Sequence, residues 1–401
     1  SRGKVGYVPE EDERHYLFRE YIRVLDELRP AAFVMENVKG MLSSTVESRL
    51  VFEMLMEDLS SLGTDHGHEY ELRAIRIQDG KACLQEAMRP SDFIVRAEAF
   101  GIPQKRHRVI IIGIRSDLAD RAARAEVAVA GNVRTVGRTI LNLPSLRSGI
   151  SRGGDDVTVW RQEVVQAAEL LAELTKEKDD VRLHEAFASL IERLEAEMPS
   201  LRDSSALPDQ YGHSHDELLN WIERLELRAV AQHETRGHMK SDLGRYLFAS
   251  VFGSVHDYSP KAADFPSAIS PDHRNWHTGV FNDRFRVQVA QQPSSTVTNH
   301  ISKDGHYFIH PDPVQCRSLT VREAARLQTF PDDYVFLGNR TQQYVQVGNA
   351  VPPFLARHIA ALLYEALTAD TIEDDVDDHS SAVKKAPEGS QLDWLEQVYP
   401  K

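Results

Sequence analysis

Apolar positions over the first hundred residues switch between helical and strand spacing. A helix is predicted over 14–29, where apolar residues recur every three or four positions and Pro30 follows. These residues are Leu17, Tyr21, Val24 and Leu28. The continuous apolar run over 31–35 is typical of a strand buried on both faces of a parallel sheet. The capping-box pattern over 44–47 predicts the start of a second helix.

The rest of the chain contains further elements of both kinds. Strands are predicted over 70–77, 93–97 and 109–114, and amphipathic helices over 159–174, 181–198 and 216–230. Residues 232–315 are irregular and rich in Gly, Pro, His and aromatic residues, with strand-like pieces at 285–289 and 296–298. A second capping box over 320–323 starts a helix that ends at Phe330-Pro331, and Pro352-Pro353 opens a last amphipathic helix.

This order of elements predicts an α/β fold with a doubly wound sheet over 1–118. We expect a helical insert over 119–231 and a small, irregular, mostly-β domain over 232–315. The chain then returns to the first domain over 316–369 and ends in an acidic tail over 370–401.

Composition narrows the class of protein. Of 401 residues 41% are hydrophobic, yet no run of about 18 uncharged apolar residues predicts a membrane span. Two cysteines cannot build a disulfide framework, so we expect a cytoplasmic protein that does not enter a membrane. The chain begins at Ser1 and its first Met is Met35, which suggests a piece of a longer chain.

The net charge of −14 is segregated along the chain. Residues 155–228 carry a net charge of −10 and residues 370–401 a net charge of −6. The remainder of the chain therefore carries a net charge of +2. A basic cluster lies between Arg96 and Arg115 and includes Lys105, Arg106 and Arg108. The acidic total therefore does not exclude a nucleic-acid partner.

Three clusters of polar residues are candidates for chemistry. Glu36 and Asn37 follow a buried strand, where ligands sit in open α/β sheets, although such a pair is also an ordinary loop start. Arg106 and Arg108 share one face of a strand and can bind phosphate or a carboxylate, or form a solvated edge. Gly348-Asn349 precedes a Pro-started helix and offers backbone N–H groups, or simply caps a turn.

Together these strings resemble the DNA (cytosine-5) methyltransferases. Glu36-Asn37-Val38 resembles the sixth conserved block of that family, and Gln-Lys-Arg-His-Arg at 104–108 resembles the eighth. The string at 322–331 is similar to the ninth block, Gly-Asn-Ala-Val-Pro-Pro at 348–353 to the tenth, and 14–18 to the fifth. Order and spacing agree over about 1–118 and 232–369, including a long variable stretch where the family keeps its target recognition domain.

The resemblance implies a partial sheet of the S-adenosylmethionine-dependent methyltransferase type, with a target recognition domain at 232–315. The implied reaction moves a methyl group from S-adenosylmethionine to C5 of a cytosine flipped out of double-stranded DNA, in a bacterial restriction-modification system. Implied catalytic residues are Glu36, Arg106 and Arg108, and implied S-adenosylmethionine contacts are Leu17, Asn349 and Val351. Residues suited to phosphates or base edges in the recognition region are Arg236, Arg284, Arg286, Thr298 and Asn299.

Two blocks of the family have no counterpart in this sequence. These are the Phe-x-Gly-x-Gly turn that cradles the cofactor and the Pro-Cys-Gln loop that carries the nucleophile. Cys83 and Cys316 lack the flanking Pro and Gln, and we interpret both as structural. We therefore expect a fragment, or the second subunit of a split enzyme, inactive without the missing N-terminal part or a complementary subunit.

Two alternatives stay open at this point. One is a catalytically inactive relative that binds DNA or activates a partner. The other is an RNA cytosine methyltransferase with the same fold. The histidine pairs at 66/68 and 213/215 lack acidic or cysteine partners at ligand spacing, so we predict no metal site.

Overall fold

A computed structural model describes residues 17–46, 48–62, 69–129, 131–151, 153–177, 180–207, 211–212, 216–224, 227–272, 276 and 282–368. The helices are α1 Leu17–Leu28, α2 Val51–Ser60, α3 Ala119–Ala122, α4 Val136–Ile140, α5 Val157–Glu177, α6 Val181–Glu197, α7 Glu217–Ile222, α8 Lys240–His256, α9 Val321–Leu327, α10 Arg340–Asn349 and α11 Pro353–Thr368. The strands are β1 Ala32–Val38, β2 Thr45–Val46, β3 Arg49–Leu50, β4 Tyr70–Gln78, β5 Lys81–Glu86, β6 Ile94–Arg96, β7 Gln104–Lys105, β8 His107–Arg115, β9 Glu126–Ala128, β10 Gly149–Ile150, β11 Gly237–His238 and β12 Ser294–Ser295.

The main sheet has the order β1-β8-β4-β5-β9, and β6 pairs with the beginning of β8. Strand β8, which pairs with β1, β4 and β6, contains the predicted apolar run, and Val109 to Ile112 are each at most 1% exposed. Gly113 allows the close approach of β1, because a Cβ atom there would overlap the Phe33 ring. Strand β1 pairs with β8 along one edge and has no strand on its other edge among the described residues.

The expectation of a parallel neighbour for the strand over 31–35 is wrong for β8, because this pairing is antiparallel. The other described pairings of the main sheet are antiparallel as well. The expected burial of both faces is wrong as well, because Phe33 is buried at 5% exposure whereas Val34, on the opposite face, is 38% exposed. Helices α1 and α2 pack on one face of the sheet and helices α7 and α11 on the other.

The second half of the chain is divided differently from our prediction. Helices α5 and α6 occur as predicted, but they share one hydrophobic core with α8 and with Phe285, Val287 and Ile309 from the recognition region. The middle of the insert, with α5 and α6, and the part of the recognition region that holds α8 are therefore one packed body. The ends of the insert also belong elsewhere, since β9 joins the main sheet and α7 packs beside α11.

Residues 232–315 hold a long helix that the pattern did not predict. Helix α8 is buried around most of its circumference, so its sequence lacks the one-sided apolar stripe of an amphipathic helix. Within this region the described strands are β11 and β12, of two residues each, and the expected strand at 285–289 is reduced to a single bridge between Val287 and Ile309. A mostly-β content is therefore not what the structure shows here.

Two predicted helix boundaries are also wrong. Ser44 closes the 3-10 turn Lys39–Ser43, with its hydroxyl donating to the Gly40 carbonyl at 3.0 Å, and α2 begins only at Val51. Helix α7 ends at Ile222 because the Glu223 side chain turns inward to accept hydrogen bonds from Asn142 at 2.7 Å and Gly212 N at 3.0 Å. The first contact is a competing local turn and the second is a tertiary contact, and the apolar pattern reveals neither.

Near the carboxyl end of the described chain, a fourth core joins α4, α9 and α10. The predicted capping box at Thr320 and Glu323 is present at the start of α9, and α11 begins at Pro353 as predicted. No helix among the described residues combines the length and apolarity needed to cross a membrane. The predicted tail over 370–401 and the histidine pairs at 66/68 and 213/215 lie outside the described residues.

Candidate active site

Glu36 and Arg108 meet on neighbouring strands of the main sheet. In the antiparallel register Glu36 lies opposite Ile110, and Val38 lies opposite Arg108. Because side-chain direction repeats every two residues along a strand, Glu36 and Arg108 project from the same face. Arg108 Nε lies 3.0 Å from Glu36 Oε1, and the two side chains are 15% and 30% exposed. A carboxylate is thus held by a guanidinium in a half-buried position that a ligand can still reach.

The surroundings of Arg108 fix the direction of its guanidinium. Its Nη1 donates to the His107 carbonyl at 2.9 Å. Burial lowers the pKa of Arg108, and the Glu36 carboxylate acts in the opposite direction. The pair is therefore balanced between the cost of desolvation and the attraction of opposite charges.

Arg106 lies deeper, with an exposed fraction of 2%. Its Nη1 donates to the Val297 carbonyl at 3.0 Å and its Nη2 to the Gly348 carbonyl at 3.3 Å. Burial, reinforced by the charge of Arg108, lowers the pKa of Arg106 to about 10, so the guanidinium is still protonated at neutral pH. Arg106 therefore ties the eighth block to the recognition region and to the tenth block.

Gln104 and Gln328 form a buried amide chain that the sequence did not single out. Gln104 Oε1 accepts from Val297 N at 2.9 Å, and its Nε2 donates to Gln328 Oε1 at 2.6 Å. Gln328 Nε2 in turn donates to the carbonyls of Val347 and Ala350 at 2.8 and 2.7 Å. Gln104 lies in the string that resembles the eighth block, and Gln328 lies in the string that resembles the ninth. This resemblance is the sequence signal that marked the two glutamines.

A cleft of about 520 Å³ opens beside Glu36 at the free edge of β1. Its volume is within the range of small-molecule sites. Its wall combines apolar side chains from α1 and β1 with the polar pair Glu36 and Asn37. Asn37 Oδ1 accepts from Val38 N at 2.8 Å, which fixes the turn at the end of the strand.

The predicted cofactor contacts lie in two places. Leu17 begins α1, next to Phe18 of the cleft wall, but its side chain is outside what the structure describes. Asn349 ends α10 with an exposed side chain, and Val351 is half-buried in the turn before α11. An exposed amide beside an apolar side chain suits the polar and apolar parts of a nucleoside. However, neither residue lines the cleft beside Glu36, so the described residues do not bring the three contacts into one cavity.

Two of the predicted DNA contacts lie directly against the tenth block. Thr298 is half-buried and Asn299 is exposed. Gly348 packs on their backbone, since a Cβ atom on Gly348 would lie 2.5 Å from the Thr298 carbonyl carbon. Arg106 holds the Val297 and Gly348 carbonyls, which lie on either side of this contact. The Glu36–Arg108 pair is connected to this cluster through the chain, since Arg108 follows Arg106 by two residues.

The three predicted arginines of the recognition region already have partners within the chain. Arg236 donates to the carbonyls of Ile301 and Lys303 at 2.8 and 2.9 Å. Arg284 pairs with Asp304 at 3.2 Å, and Arg286 pairs with Asp283. Arg236 and Arg284 therefore lie around the turn at 299–304, and their role toward DNA stays a prediction.

Neither cysteine lies beside Glu36. Cys83 is buried in β5, and Cys316 is 1% exposed in the core of the recognition region, with its Sγ donating to the Leu243 carbonyl at 3.2 Å. Burial raises the pKa of both thiols, which disfavours the thiolate that a nucleophile needs. Their environments agree with a structural role.

The ninth block supplies buried charges that the sequence pattern did not reveal. Glu323 accepts two hydrogen bonds from Arg317, at 2.6 and 2.7 Å. Arg326 binds Asp332 at 2.6 Å and donates to Asn142 Oδ1 at 2.6 Å. These pairs brace α9 against the segments that frame the site, and their distant partners could not be read from local spacing.

Comparison with known proteins agrees with this arrangement of blocks. Residues 8–365 match the family described as C-5 cytosine-specific DNA methylase. Type II methyltransferase M.Bpa9945I of Bacillus paralicheniformis is 32% identical over 360 residues, which are 89% of this chain and 65% of that protein. DNA (cytosine-5-)-methyltransferase M.ApeKI of Aeropyrum pernix is 28% identical over 89% of this chain and 76% of its own length.

Among solved structures, a prophage-encoded DNA modification methyltransferase (E. coli) is similar in fold. It is 18% identical, with a TM-score of 0.51 over 89% of this chain and 75% of its own. The chain thus spans slightly less than two thirds of the M.Bpa9945I relative, while the family match extends over nearly all described residues. The chain belongs to the C-5 cytosine-specific DNA methylases.

Proposed function

We propose that this chain provides the cytosine-binding part of a DNA cytosine-5 methyltransferase of a type II restriction-modification system. The observation that carries the proposal is that Glu36 lines a ligand-sized cleft and is held by Arg108 at 3.0 Å. The family membership and the similarity to a type II methyltransferase and a DNA (cytosine-5-)-methyltransferase support the same reaction on DNA, and we propose double-stranded DNA as the substrate.

In this proposal Glu36 recognises the flipped ring. Arg108 engages Oε1. The carboxyl group accepts a hydrogen bond from the exocyclic amino group of the cytosine and, in its protonated form, donates to N3, and this second hydrogen bond strengthens as the ring gains electron density. A carboxyl group aimed at the place where charge develops stabilises the intermediate without reorganisation. Arg108 orients this carboxyl group, and Arg106 positions the backbone around it through Val297 and Gly348.

S-adenosylmethionine, the second substrate, supplies the methyl group that C5 receives. We assign Asn349, Val351 and Leu17 to its binding. Among the described residues these three do not line one cavity, and we propose that the remaining walls of the site come from segments outside the described residues.

The attacking thiolate has to come from outside these 401 residues as well. The chain has two cysteines, and both are buried away from the cleft with raised thiol pKa values. We therefore propose that activity requires a second segment, fused or separate, which carries the nucleophile and the methyl-donor cradle.

The test measures transfer of labelled methyl groups from S-adenosylmethionine to duplex DNA. The chain is assayed alone, and then together with the product of the DNA that adjoins its coding sequence. We expect no transfer alone and transfer in the second case, lost on Glu36→Gln. Robust transfer by the isolated chain would refute the missing nucleophile.

Glu98→Gln is a matched control, because Glu98 is another half-buried glutamate of this domain, paired with His107 at 2.7 Å. It should keep most of the transfer. A substrate panel of duplex DNA and tRNA separates the two kinds of methyltransferase. Transfer to tRNA but not to DNA would contradict the proposed substrate, and DNA binding without any transfer in either case would favour an inactive relative.

A further inference from the structure

A second cavity, of about 380 Å³, lies where the recognition region meets the N-terminus of α10. Four cationic residues line it: Arg202, Arg236, Lys303 and Arg340. No carboxylate occurs among its described lining residues. The first two residues of α10 also face the cavity, so the positive end of that helix adds to the cationic field. We call this cavity the basic pocket.

Two of these cations meet at a single neutral acceptor. Arg202 Nη2 and Arg340 Nη1 both donate to the Thr235 carbonyl at 3.2 Å. Two like charges around one carbonyl oxygen repel each other, and the repulsion is strongest where water is partly excluded. An anion in the pocket would relieve this repulsion.

Nearby carboxylates offset only part of the charge. Asp155 lies 3.5 Å from Arg202 but is also held by Arg147 at 2.8 Å. Glu234 lies 3.9 Å from Arg340. Asp155 and Glu234 therefore face five cations, which are the four that line the pocket and Arg147. The pocket thus keeps a net positive charge.

The pocket also contains buried donors without a partner among the described residues. These are the Nε atoms of Arg202 and Arg236. Arg236 is otherwise fixed, since its Nη atoms bind the turn at 299–303 and its guanidinium lies 4.7 Å from the Tyr344 ring centre. Buried polar groups normally have partners, so unfilled donors in a cationic cavity point to an anionic ligand.

We propose that the basic pocket binds a backbone phosphate of the DNA substrate. This rests on the proposed function and extends it, because Arg202 belongs to the acidic helical insert, to which the sequence assigned no role. Guanidinium groups suit phosphate oxygens through paired hydrogen bonds, and helix N-termini favour anions. The insert therefore takes part in holding DNA despite its net negative charge.

The test uses the full chain and a mixed-sequence DNA duplex, with the dissociation constant measured over a range of salt concentrations. Lys303→Gln and Arg340→Gln each remove one cation, and Lys303 is exposed, so its variant is expected to fold. Each should weaken binding uniformly across sequences and reduce the slope of log affinity against log salt by roughly 0.9 for each phosphate that the variant no longer neutralises.

Gly149→Ala tests the geometry without changing charge. A Cβ atom at Gly149 would overlap the Arg202 guanidinium, which is the mobile end of a side chain and can move aside. This variant should weaken DNA binding although all cations remain. Arg182→Gln is the matched control. Arg182 contacts His256 at the far end of α8, about 25 Å along the helix from the pocket side.

An unchanged salt slope in both Lys303→Gln and Arg340→Gln would overturn the proposal, and so would an equal fall in Arg182→Gln. A second arm uses inorganic phosphate alone. If phosphate raises the melting temperature of the wild type but not of these two variants, while DNA binding is unaffected, the pocket holds a free anion and the DNA assignment is wrong. Failure of methyl transfer leaves these binding results untouched, so the two proposals are tested separately.

Discussion

At the scale of single residues, the two arginines of the eighth block differ in role although they lie two positions apart. Arg108 reaches the carboxylate of Glu36, whereas Arg106 reaches only the carbonyls of Val297 and Gly348. The expectation that both share one face of a strand is wrong, because Arg106 lies in the break between β7 and β8 while Arg108 lies within β8. Arg108 belongs to the proposed chemistry, and Arg106 is a positioning residue that acts through the backbone.

We expect different losses from Arg108→Gln and Arg106→Gln. Removing the Arg106 guanidinium leaves two buried carbonyls without a donor, at a cost of about 1–3 kcal/mol each, so the free energy of unfolding of Arg106→Gln should fall by about 2–6 kcal/mol. Arg108→Gln removes a half-buried pair and should cost roughly 1 kcal/mol while abolishing methyl transfer in the complete enzyme. Urea denaturation of both variants measures the stability difference.

Arg106→Lys serves as the conservative comparison, because a lysine keeps the charge but lacks the planar fork that spans two carbonyls. The Arg106→Lys variant should recover only part of the free energy of unfolding that Arg106→Gln loses. Equal unfolding free energies for the Arg106→Gln and Arg108→Gln variants would show that the division of roles is wrong.

At the scale of elements, α9 and the segments around it show why sequence predicts some features and misses others. The start of α9 was predictable, because the Thr320–Glu323 capping box satisfies backbone groups within the same turn. The identical kind of pattern at 44–47 failed, because Ser44 closes a preceding 3-10 turn instead. Local hydrogen bonds can be read from spacing only when no neighbouring segment competes for the same groups.

The site was predictable to a similar extent. The strings that resemble the sixth and eighth blocks indicated Glu36, Arg106 and Arg108, and the structure pairs Glu36 with Arg108. Their catalytic roles stay a prediction. The amide chain from Gln104 to Gln328 was not predictable, because its partners are more than two hundred residues apart and glutamine carries no periodic signal.

The amide chain makes a specific prediction for Gln328→Glu. The amide nitrogen now donates to two carbonyls, and a carboxylate there would face the same carbonyls as a second acceptor. At a fully buried position this should lower the free energy of unfolding by about 2–5 kcal/mol and loosen the turn that carries Asn349 and Val351. In the complete enzyme KM for S-adenosylmethionine should rise more than kcat falls.

Gln346→Glu is the matched control, since Gln346 lies in α10 near the same turn but is exposed, with one hydrogen bond to the Leu337 carbonyl at 2.8 Å. It makes the same change of charge and should alter stability by less than about 1 kcal/mol. Comparable losses in the two variants would indicate a general effect of charge and contradict the role of the amide chain.

At the scale of the whole molecule, the site lies where separate cores meet. The main sheet contributes Glu36 and Arg108, and the core of α4, α9 and α10 contributes Val297 and the neighbourhood of Gly348. The body formed by α5, α6 and α8 adjoins this core through the ninth block. No periodic pattern reports such packing between distant segments, which is why the boundary at 231/232 was misplaced while most individual helices were found.

The same body is held together by buried neutral histidines, which predicts how stability depends on pH. Burial lowers the pKa of His233, His238 and His306, and burial together with Arg317 lowers that of His310 to about 4. His310 Nδ1 accepts a hydrogen bond from Asp312 N at 3.2 Å, so protonation would place a donor against a donor. In the unfolded chain these histidines have an ordinary pKa near 6.5. They therefore become protonated there at pH values at which they stay neutral in the folded chain.

The unfolded state therefore binds more protons between pH 6.5 and about 4, and the free energy of unfolding must fall as pH is lowered through that window. Each such histidine contributes a slope of up to about 1.4 kcal/mol per pH unit. Measuring urea unfolding between pH 6.5 and 5 isolates the histidines, because Asp155 and Glu323, whose pKa values are lowered, contribute only near and below their unfolded values of 3.8 and 4.5.

His310→Gln keeps an acceptor for Asp312 N but cannot titrate, so it should flatten this slope by about 1 kcal/mol per pH unit whatever its effect on absolute stability. A slope identical to that of the wild type would mean that His310 is protonated in the folded protein, and the neutral network inferred for this core would then be wrong.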